Sequence, residues 1–288
     1  MAPGWWPVDL LFLAYLSASG LLVVVFWNRV PGAWWLVSLH LLGMLLVALA
    51  AKWPAWRAKA PASLWLFRCW YPLPYVTACY KEMSGLIAAL RGLDLDAELA
   101  RLDFALWGVH PTVWLERFQT PALTEFLQIV YTLFLPMILL VAAWLWRQRQ
   151  WEEFRYYAFL LALGFLVSYV GYFLVPVRGP RWLLNPQQSL PLEGLWSFQV
   201  LRNMLDRLTP AHYDCFPSGH TEMIILAWWN SRRISANLFR VFSVYMVCMV
   251  FSTVYLRYHY TVDVFAGAVL ALGLLGVAPY LHRAGKRP

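Results

Sequence analysis

The chain has 288 residues, of which 61% are hydrophobic and 13% charged, and its mean hydropathy is +0.55. That excludes an ordinary soluble domain and makes lipid the main solvent. The formal net charge of +8 would suit a nucleic-acid partner in a soluble protein, but most of the excess sits in short loops beside apolar runs, the pattern of the positive-inside rule, so nucleic acid is not expected.

The first apolar run, from Leu10 to Trp27, lacks a basic leader and a convincing cleavage site, and another run follows at once. It reads as a retained span rather than a secretory signal. Further runs centre on residues 34–51, 122–146, 155–176, 215–230, 236–256 and 262–281, most of them near the roughly 20 residues a helix needs to cross the hydrocarbon layer. The run at 215–230 is short and begins in a polar cluster, which predicts a helix opening inside a cavity.

Between Lys52 and Thr120 the pattern is less regular. Arg68, Pro72 and Pro74 interrupt an apolar run, which predicts a broken or re-entrant span. From Asp94 to Phe118, acids and arginines alternate with Leu, Phe and Trp, as in an amphipathic helix lying at the bilayer surface. The expected fold is all-α, a polytopic transmembrane helix bundle. Its parts are N-terminal transmembrane helices over residues 1–60, the broken segment and interfacial helix over 61–121, and a membrane core over 122–288. No internal repeat is visible.

Arg147, Arg149 and Arg155 share one loop region, Arg232, Arg233 and Arg240 another, and Arg283, Lys286 and Arg287 the tail. With all three on the cytoplasmic side, the alternation of spans puts the loop from Pro176 to Phe216 and the turn around His259 on the external face. Trp5, Trp6, Trp34, Trp35, Trp144, Trp146 and Trp151 lie near span ends and read as interfacial anchors. Cys69, Cys79, Cys215 and Cys248 show neither a CxxC pair nor zinc-ligand spacing; a disulfide between Cys69 and Cys79 stands open.

Three segments carry ionisable groups at the edges of apolar runs, where such groups are costly and become functional candidates. They are Arg178-Gly-Pro-Arg181, Cys215-Phe-Pro-Ser-Gly-His-Thr221 and Arg257-Tyr-His-Tyr-Thr-Val-Asp263. A helix starting near Tyr258 puts His259 and Asp263 on one face, so that the carboxylate orients the imidazole as a nucleophile. A purely structural His–Asp pair is the competing reading. Ser218, Gly219 and His220 fall at a predicted helix N-terminus, whose amides point at a bound anion, with His220 placed to act as a general acid. A plain N-cap explains Ser218 equally well but not His220. Arg178, Arg181 and Arg257 are the candidate clamp for phosphoryl oxygens; taken singly, each arginine could equally serve a lipid head group. His212, Asp214, Cys215, His220, His259 and Asp263 are residue types that ligate metals, but their spacing matches no metal motif, so no metal or other cofactor is expected.

The pairing of Pro217-Ser-Gly-His220 with His259-x-x-x-Asp263 resembles the type 2 phosphatidic acid phosphatase superfamily. Trp107-Gly-Val-His-Pro-Thr112 and His259-Tyr-Thr-Val-Asp-Val264 are similar to its inositol phosphorylceramide synthase-like branch, a likeness extending over roughly residues 90–280. The resemblance implies a six-helix core with an external site and no metal. It also implies that His259 attacks phosphorus, Asp263 supports it, His220 serves as acid and then base, and arginines hold the oxygens. The chain departs from the common pattern twice: Thr253 stands where an arginine is usual, and Gly171 where a lysine is usual. Arg181 and Arg257 are the available substitutes.

The expected function is a membrane lipid phosphatase or phosphotransferase working through a phosphohistidine, with a lipid phosphate or phospholipid as partner. A head-group transferase, moving a phospho-head group to a lipid hydroxyl, is the near alternative. A lipid or proton-coupled transporter is the alternative from another class. A bacterial inner membrane with the site facing the periplasm is the expected location.

Overall fold

The computed structural model describes residues 4–52, 62–208 and 213–285. The boundary expected between residues 60 and 61, Lys286 and Arg287 of the basic tail, and His212 lie outside these. Fourteen α-helices occur among the described residues, and no strand. In chain order they are α1 (Pro7–Val25), α2 (Ala33–Lys52), α3 (Ala62–Trp70), α4 (Pro72–Leu90), α5 (Asp96–Trp107), α6 (Pro111–Trp114) and α7 (Pro121–Thr132). Then follow α8 (Phe134–Arg147), α9 (Trp151–Leu174), α10 (Pro180–Leu183), α11 (Phe198–Leu208), α12 (Gly219–Ser231), α13 (Ala236–Tyr255) and α14 (Thr261–Ala284). Five of them (α1, α2, α9, α13 and α14) are long and apolar enough to cross a membrane, and the pair α7–α8, bent by 43°, makes a sixth candidate. Pro136 explains the bend, because it cannot donate to the carbonyl of Thr132 across the break.

The short helix α12 is the hub, packing against α8, α9, α13 and α14, with Met223, Ile224, Leu226 and Ala227 fully buried. Its thirteen residues span only about 20 Å, less than the roughly 30 Å of hydrocarbon. Its N-terminus lies beside the first turn of α14, where the amide of Ser218 donates to the carbonyl of Asp263, and against Tyr172 near the end of α9.

Two ends of the bundle can be told apart by contact. Arg233 on the α12–α13 turn pairs with Glu153 at the start of α9 at 2.9 Å. Arg68 and Arg155 both lie over Trp6, and Gly285 lies against Pro7. The basic loops thus share one end. At the other end Arg91 donates to the carbonyl of Leu174, and the three motif segments gather there. Near the basic end a buried ion pair between Arg68 and Asp9 (2.5 Å), joined by Tyr71, ties α3 to α1.

The region from Lys52 to Thr120 resolves into distinct pieces. Pro72 occupies the first turn of α4, where its missing N–H costs nothing, so it starts a helix rather than merely breaking one. The interfacial helix expected over Asp94–Phe118 ends early. Gly108 takes a left-handed φ of 69° and caps α5, and Pro111 starts α6, which runs into a 3₁₀ turn over Leu115–Phe118. Leu102, Phe104, Leu106 and Trp107 of α5 are exposed, whereas Asp96 and Asp103 are 4% and 1% exposed. The helix therefore turns Asp96 and Asp103 inward along with Leu99 and Ala100, and leaves these four apolar side chains and Glu98 exposed. Cys69 and Cys79 are free thiols, so the disulfide considered between them does not form.

Candidate active site

His259 is placed by a tight turn. Helix α13 ends at Tyr255, Arg257 adopts a φ of 67°, and the amides of Tyr258 and His259 both donate to the carbonyl of Thr253, at 2.9 and 3.0 Å. The position where an arginine is usual thus contributes its backbone to the turn, while the Thr253 hydroxyl bonds back to Val250. Helix α14 begins two residues after His259, and Asp263 sits in its first turn, accepting the amide of Tyr260 at 2.9 Å. The same oxygen, Oδ2, lies 3.5 Å from His259 Nδ1. The cap that starts the helix therefore also stands behind the histidine.

Cys215 donates its thiol to this oxygen as well, at 2.7 Å. Burial, reinforced by the charge of Asp263, pushes the thiol pKa well above its ordinary value and keeps the proton on sulfur. Cys215 Sγ, His259 Nδ1 and Asp263 Oδ2 are also the one cluster among the described residues that could hold a metal ion, with all ligand atoms within 4.8 Å of one another.

The amide of Ser218 donates to the carbonyl of Asp263 at 3.0 Å, which joins the second motif to the third. The Ser218 hydroxyl caps α12 by accepting the amide of Thr221. The first-turn amides of Gly219 and His220 have no partner within the helix. A Cβ at Gly171 would come within 2.4 Å of Pro217, so this position is packed against the turn and has no room for the usual lysine. The ring of His220 is held between Tyr131 and Phe134, and its Nδ1 faces His259 Nε2 at 3.3 Å. The two histidines thus meet through one ring nitrogen each, and the other nitrogen of His259 faces the carboxylate.

Arg178 and Arg181 line the same small cavity as the histidines, about 70 Å³, with Tyr131, Leu205, Asp206, Asp214, Cys215 and Tyr258. Arg178 bonds the hydroxyl of Tyr213 at 3.1 Å and lies 3.3 Å from Asp94. Arg181 pairs with Asp206 at 2.7 Å. Gly179 between them has a φ of 109°, and a Cβ there would meet the carbonyl of Tyr258 at 2.6 Å, so only glycine lets this segment lie against the His259 turn. Arg257 is placed differently from the expectation: it is not among the residues lining the cavity. Its guanidinium donates to Glu116 (3.0 Å), Gln119 (3.3 Å) and the carbonyl of Leu190 (2.7 Å) and pins the loops beneath the site.

Sequence reasoning passed over two residues that hold the site together. Asp96 accepts the amides of Arg178 and Gly179, both at 2.8 Å, and the hydroxyl of Tyr260 at 2.9 Å. Asp103 accepts the amides of Thr261 and Val262 at 2.9 Å and the Thr261 hydroxyl at 2.7 Å. One helix thus grips both the arginine segment and the start of α14. Their heptad spacing, which puts both carboxylates on one face, was the available signal. Asp103 occupies the N-terminus of α14, whereas the N-terminus of α12 carries His220, which faces His259.

The match to known proteins is at the level of the family. No curated protein and no solved structure matches the chain. The family model described as the PAP2 superfamily matches residues 97–277, which include every motif residue described above and run from α5 to α14. With more than half of its length matched, the chain belongs to the PAP2 superfamily.

Proposed function

We propose that this protein is a membrane lipid phosphatase or phosphotransferase that works through a phosphohistidine on His259. The observation that carries the reading is the facing pair His259 Nε2 and His220 Nδ1, in a cavity walled by Arg178 and Arg181, with Asp263 behind the first ring. In the first half-reaction the arginines and the open amides of α12 hold the phosphate. His259 Nε2 forms a bond to phosphorus as the phosphorus–oxygen bond to the alcohol breaks, and His220 gives that oxygen its proton. The positive charge developing on His259 is balanced by Asp263. In the second half an acceptor hydroxyl loses its proton to His220 and attacks phosphorus in line, which restores His259.

Water as acceptor makes the protein a phosphatase, and an alcohol makes it a head-group transferase. One contact favours the second as an alternative: Trp107 donates its indole N–H to Thr261 at 2.8 Å, so the two segments similar to inositol phosphorylceramide synthases touch one another. Exchange of a labelled head group from a diester lipid supports transfer, and release of phosphate from a monoester without acceptor opposes a dedicated transferase. The site lies at the end of the bundle away from the basic loops, which supports an external, periplasm-facing site in a bacterial inner membrane.

The test is trapping. Detergent-purified wild type and His259→Ala are incubated with phosphate-labelled lipid monoesters and diesters, and protein-bound label is tested for acid lability and base stability. Such label on wild type alone is the expected result. Turnover of a lipid phosphoester by His259→Ala at the wild-type rate would sink the mechanism.

A further inference from the structure

Cys215 takes no part in the reaction proposed for His259 and His220, yet its thiol completes a cluster with His259 Nδ1 and Asp263 Oδ2. The three donors differ in kind, a thiol, an imidazole and a carboxylate, and all three residues are buried. Sγ and Oδ2 are 2.7 Å apart, Sγ and Nδ1 3.5 Å, and Nδ1 and Oδ2 3.5 Å. The point equidistant from three atoms so spaced lies about 1.9 Å from each, against zinc distances of about 2.0–2.1 Å to nitrogen, 2.0–2.2 Å to oxygen and 2.3 Å to sulfur. Opening the Sγ–Oδ2 contact by less than about 1 Å gives the separations of a tetrahedral site. Without an ion the same atoms are poorly served. Nδ1 lies beyond the usual hydrogen-bond range of about 2.7–3.2 Å from both neighbours, and the second oxygen of Asp263, Oδ1, is buried with no partner among the described residues. Cys215 and His259 line the cavity, so the cluster is reached from there.

We propose that these three side chains form an inhibitory site for a thiophilic divalent cation such as zinc. The inhibition rests on the phosphohistidine reading above, whereas the site itself does not. Binding replaces the thiol proton, which leaves to solvent, by a bond from Sγ to the ion, while Nδ1 and Oδ2 each give a lone pair. One thiolate, one imidazole and one carboxylate suit zinc or cadmium; they do not suit magnesium or calcium, which take oxygen ligands in larger number. The ion sits on the Nδ1 side of His259, so Nε2 still faces His220. Its charge nevertheless opposes the positive charge that develops on the ring as Nε2 attacks phosphorus, and Asp263 is engaged by the ion instead of balancing the ring. Arg178 and Arg181 are not among the ligands, so the phosphate clamp is left intact. The expected signature is a fall in kcat at near-constant KM.

The test uses the detergent-purified full chain, with Co²⁺ as spectroscopic probe and Zn²⁺ as inhibitor. Stoichiometric Co²⁺ is expected to give a sulfur-to-cobalt charge-transfer band in wild type and in Cys248→Ser, and none in Cys215→Ser; a band that survives in Cys215→Ser would overturn the site. Zinc-edge X-ray absorption on wild type covers the case in which Cys215→Ser does not fold. One sulfur with nitrogen and oxygen neighbours is expected, and a shell of nitrogen and oxygen alone, as from adventitious surface zinc, would overturn the site. On a lipid monophosphate, Zn²⁺ is expected to lower the wild-type kcat about tenfold or more at near-constant KM, and Cys215→Ser to need about a hundredfold more zinc for the same fall relative to its own metal-free rate. A chelator restores the wild-type rate, and Mg²⁺ leaves it unchanged. Equal zinc sensitivity of the two proteins, a rise in KM alone, or activation by zinc would overturn the inhibitory assignment. The cobalt and X-ray measurements need no turnover, so a filled site in a protein that turns over no phosphoester would refute the proposed function and leave the metal site standing.

Discussion

Substituting Asp103 with asparagine tests whether α5 sets the geometry of the reacting histidine from outside the cavity. The carboxylate is 1% exposed and accepts three donors at the start of α14. Asparagine keeps one acceptor oxygen and turns an amide N–H₂ toward donors, so at least one backbone amide loses its partner. A hydrogen bond to a charged group contributes about 1.5–3 kcal/mol, and an orphaned buried donor costs about 1–3 kcal/mol, so a loss of about 3 kcal/mol of stability is expected. The first turn of α14 carries Asp263, and His259 lies two residues before it. A displacement of about 1 Å there costs about a hundredfold in turnover. The assay measures kcat and KM on a lipid monophosphate, with the thermal midpoint read in parallel. Glu98→Gln serves as control, because Glu98 lies on the same helix but, among the described residues, pairs with the exposed Arg101 alone. The expected pattern is a fall in kcat at near-constant KM, since Asp103 does not line the cavity. A variant with wild-type kcat and a lowered midpoint would refute the positioning role and leave Asp103 a structural cap.

Arg181→Ala removes a guanidinium from the cavity wall and is expected to lower kcat/KM about a hundredfold; Arg181→Lys restores little, because a point charge does not reproduce the planar fork, and full rescue by lysine would argue against bidentate binding. Arg257→Ala leaves Glu116, whose side chain is 9% exposed, without its cation, a loss of about 3–5 kcal/mol; the thermal midpoint checks this, and an Arg257→Met, Glu116→Gln pair should recover most of it. Burial raises the Asp96 carboxyl from 3.8 to about 7, while the amides of Arg178 and Gly179 and the Tyr260 hydroxyl pull it down. Between those values the folded state holds a proton that the unfolded chain releases, so this group's contribution to stability is full below 3.8 and lost as pH rises through about 7. Only the ionised carboxylate accepts from all three donors, so turnover rises over the same window; coincident pH profiles for wild type and Asp96→Asn would refute this.

Much of the bundle was legible because each spanning helix is a long apolar run bounded by charge, and the basic loops do meet at one end. His220, His259 and Asp263 were legible because a helix start fixes the relative faces of residues three or four apart. The interfacial segment was misread in length because Gly108 and Pro111 end α5 locally, which overrides the amphipathic pattern running through them. Arg257 was misplaced for a different reason. Its left-handed φ turns it away from the direction a helical register would give, and its partners Glu116, Gln119 and Leu190 are distant in sequence. Asp96 and Asp103 were missed because a carboxylate on an amphipathic helix ordinarily faces water, and here the water side is occupied by the site.

Six carboxylates among the described residues stand around a site whose proposed substrate is an anion, and their division by exposure shows how the two are compatible. Asp96, Asp103 and Asp263 are buried, at 4%, 1% and 0% exposed, and direct their lone pairs at backbone amides, hydroxyls and a thiol. Asp214 is tied to the hydroxyl of Tyr80, and burial raises its pKa, which favours its neutral form. Asp94 and Asp206, the partners of Arg178 and Arg181, are instead 43% and 44% exposed. A phosphate entering the cavity therefore exchanges with carboxylates that can relax into water, and each guanidinium trades one anion for another. The Arg181 side chain is only 19% exposed, so most of its desolvation is met on folding, whereas Arg178 keeps 40% of its side chain exposed. On the proposed function, that exchange would let the phosphate displace an existing ion pair without leaving either guanidinium unpaired.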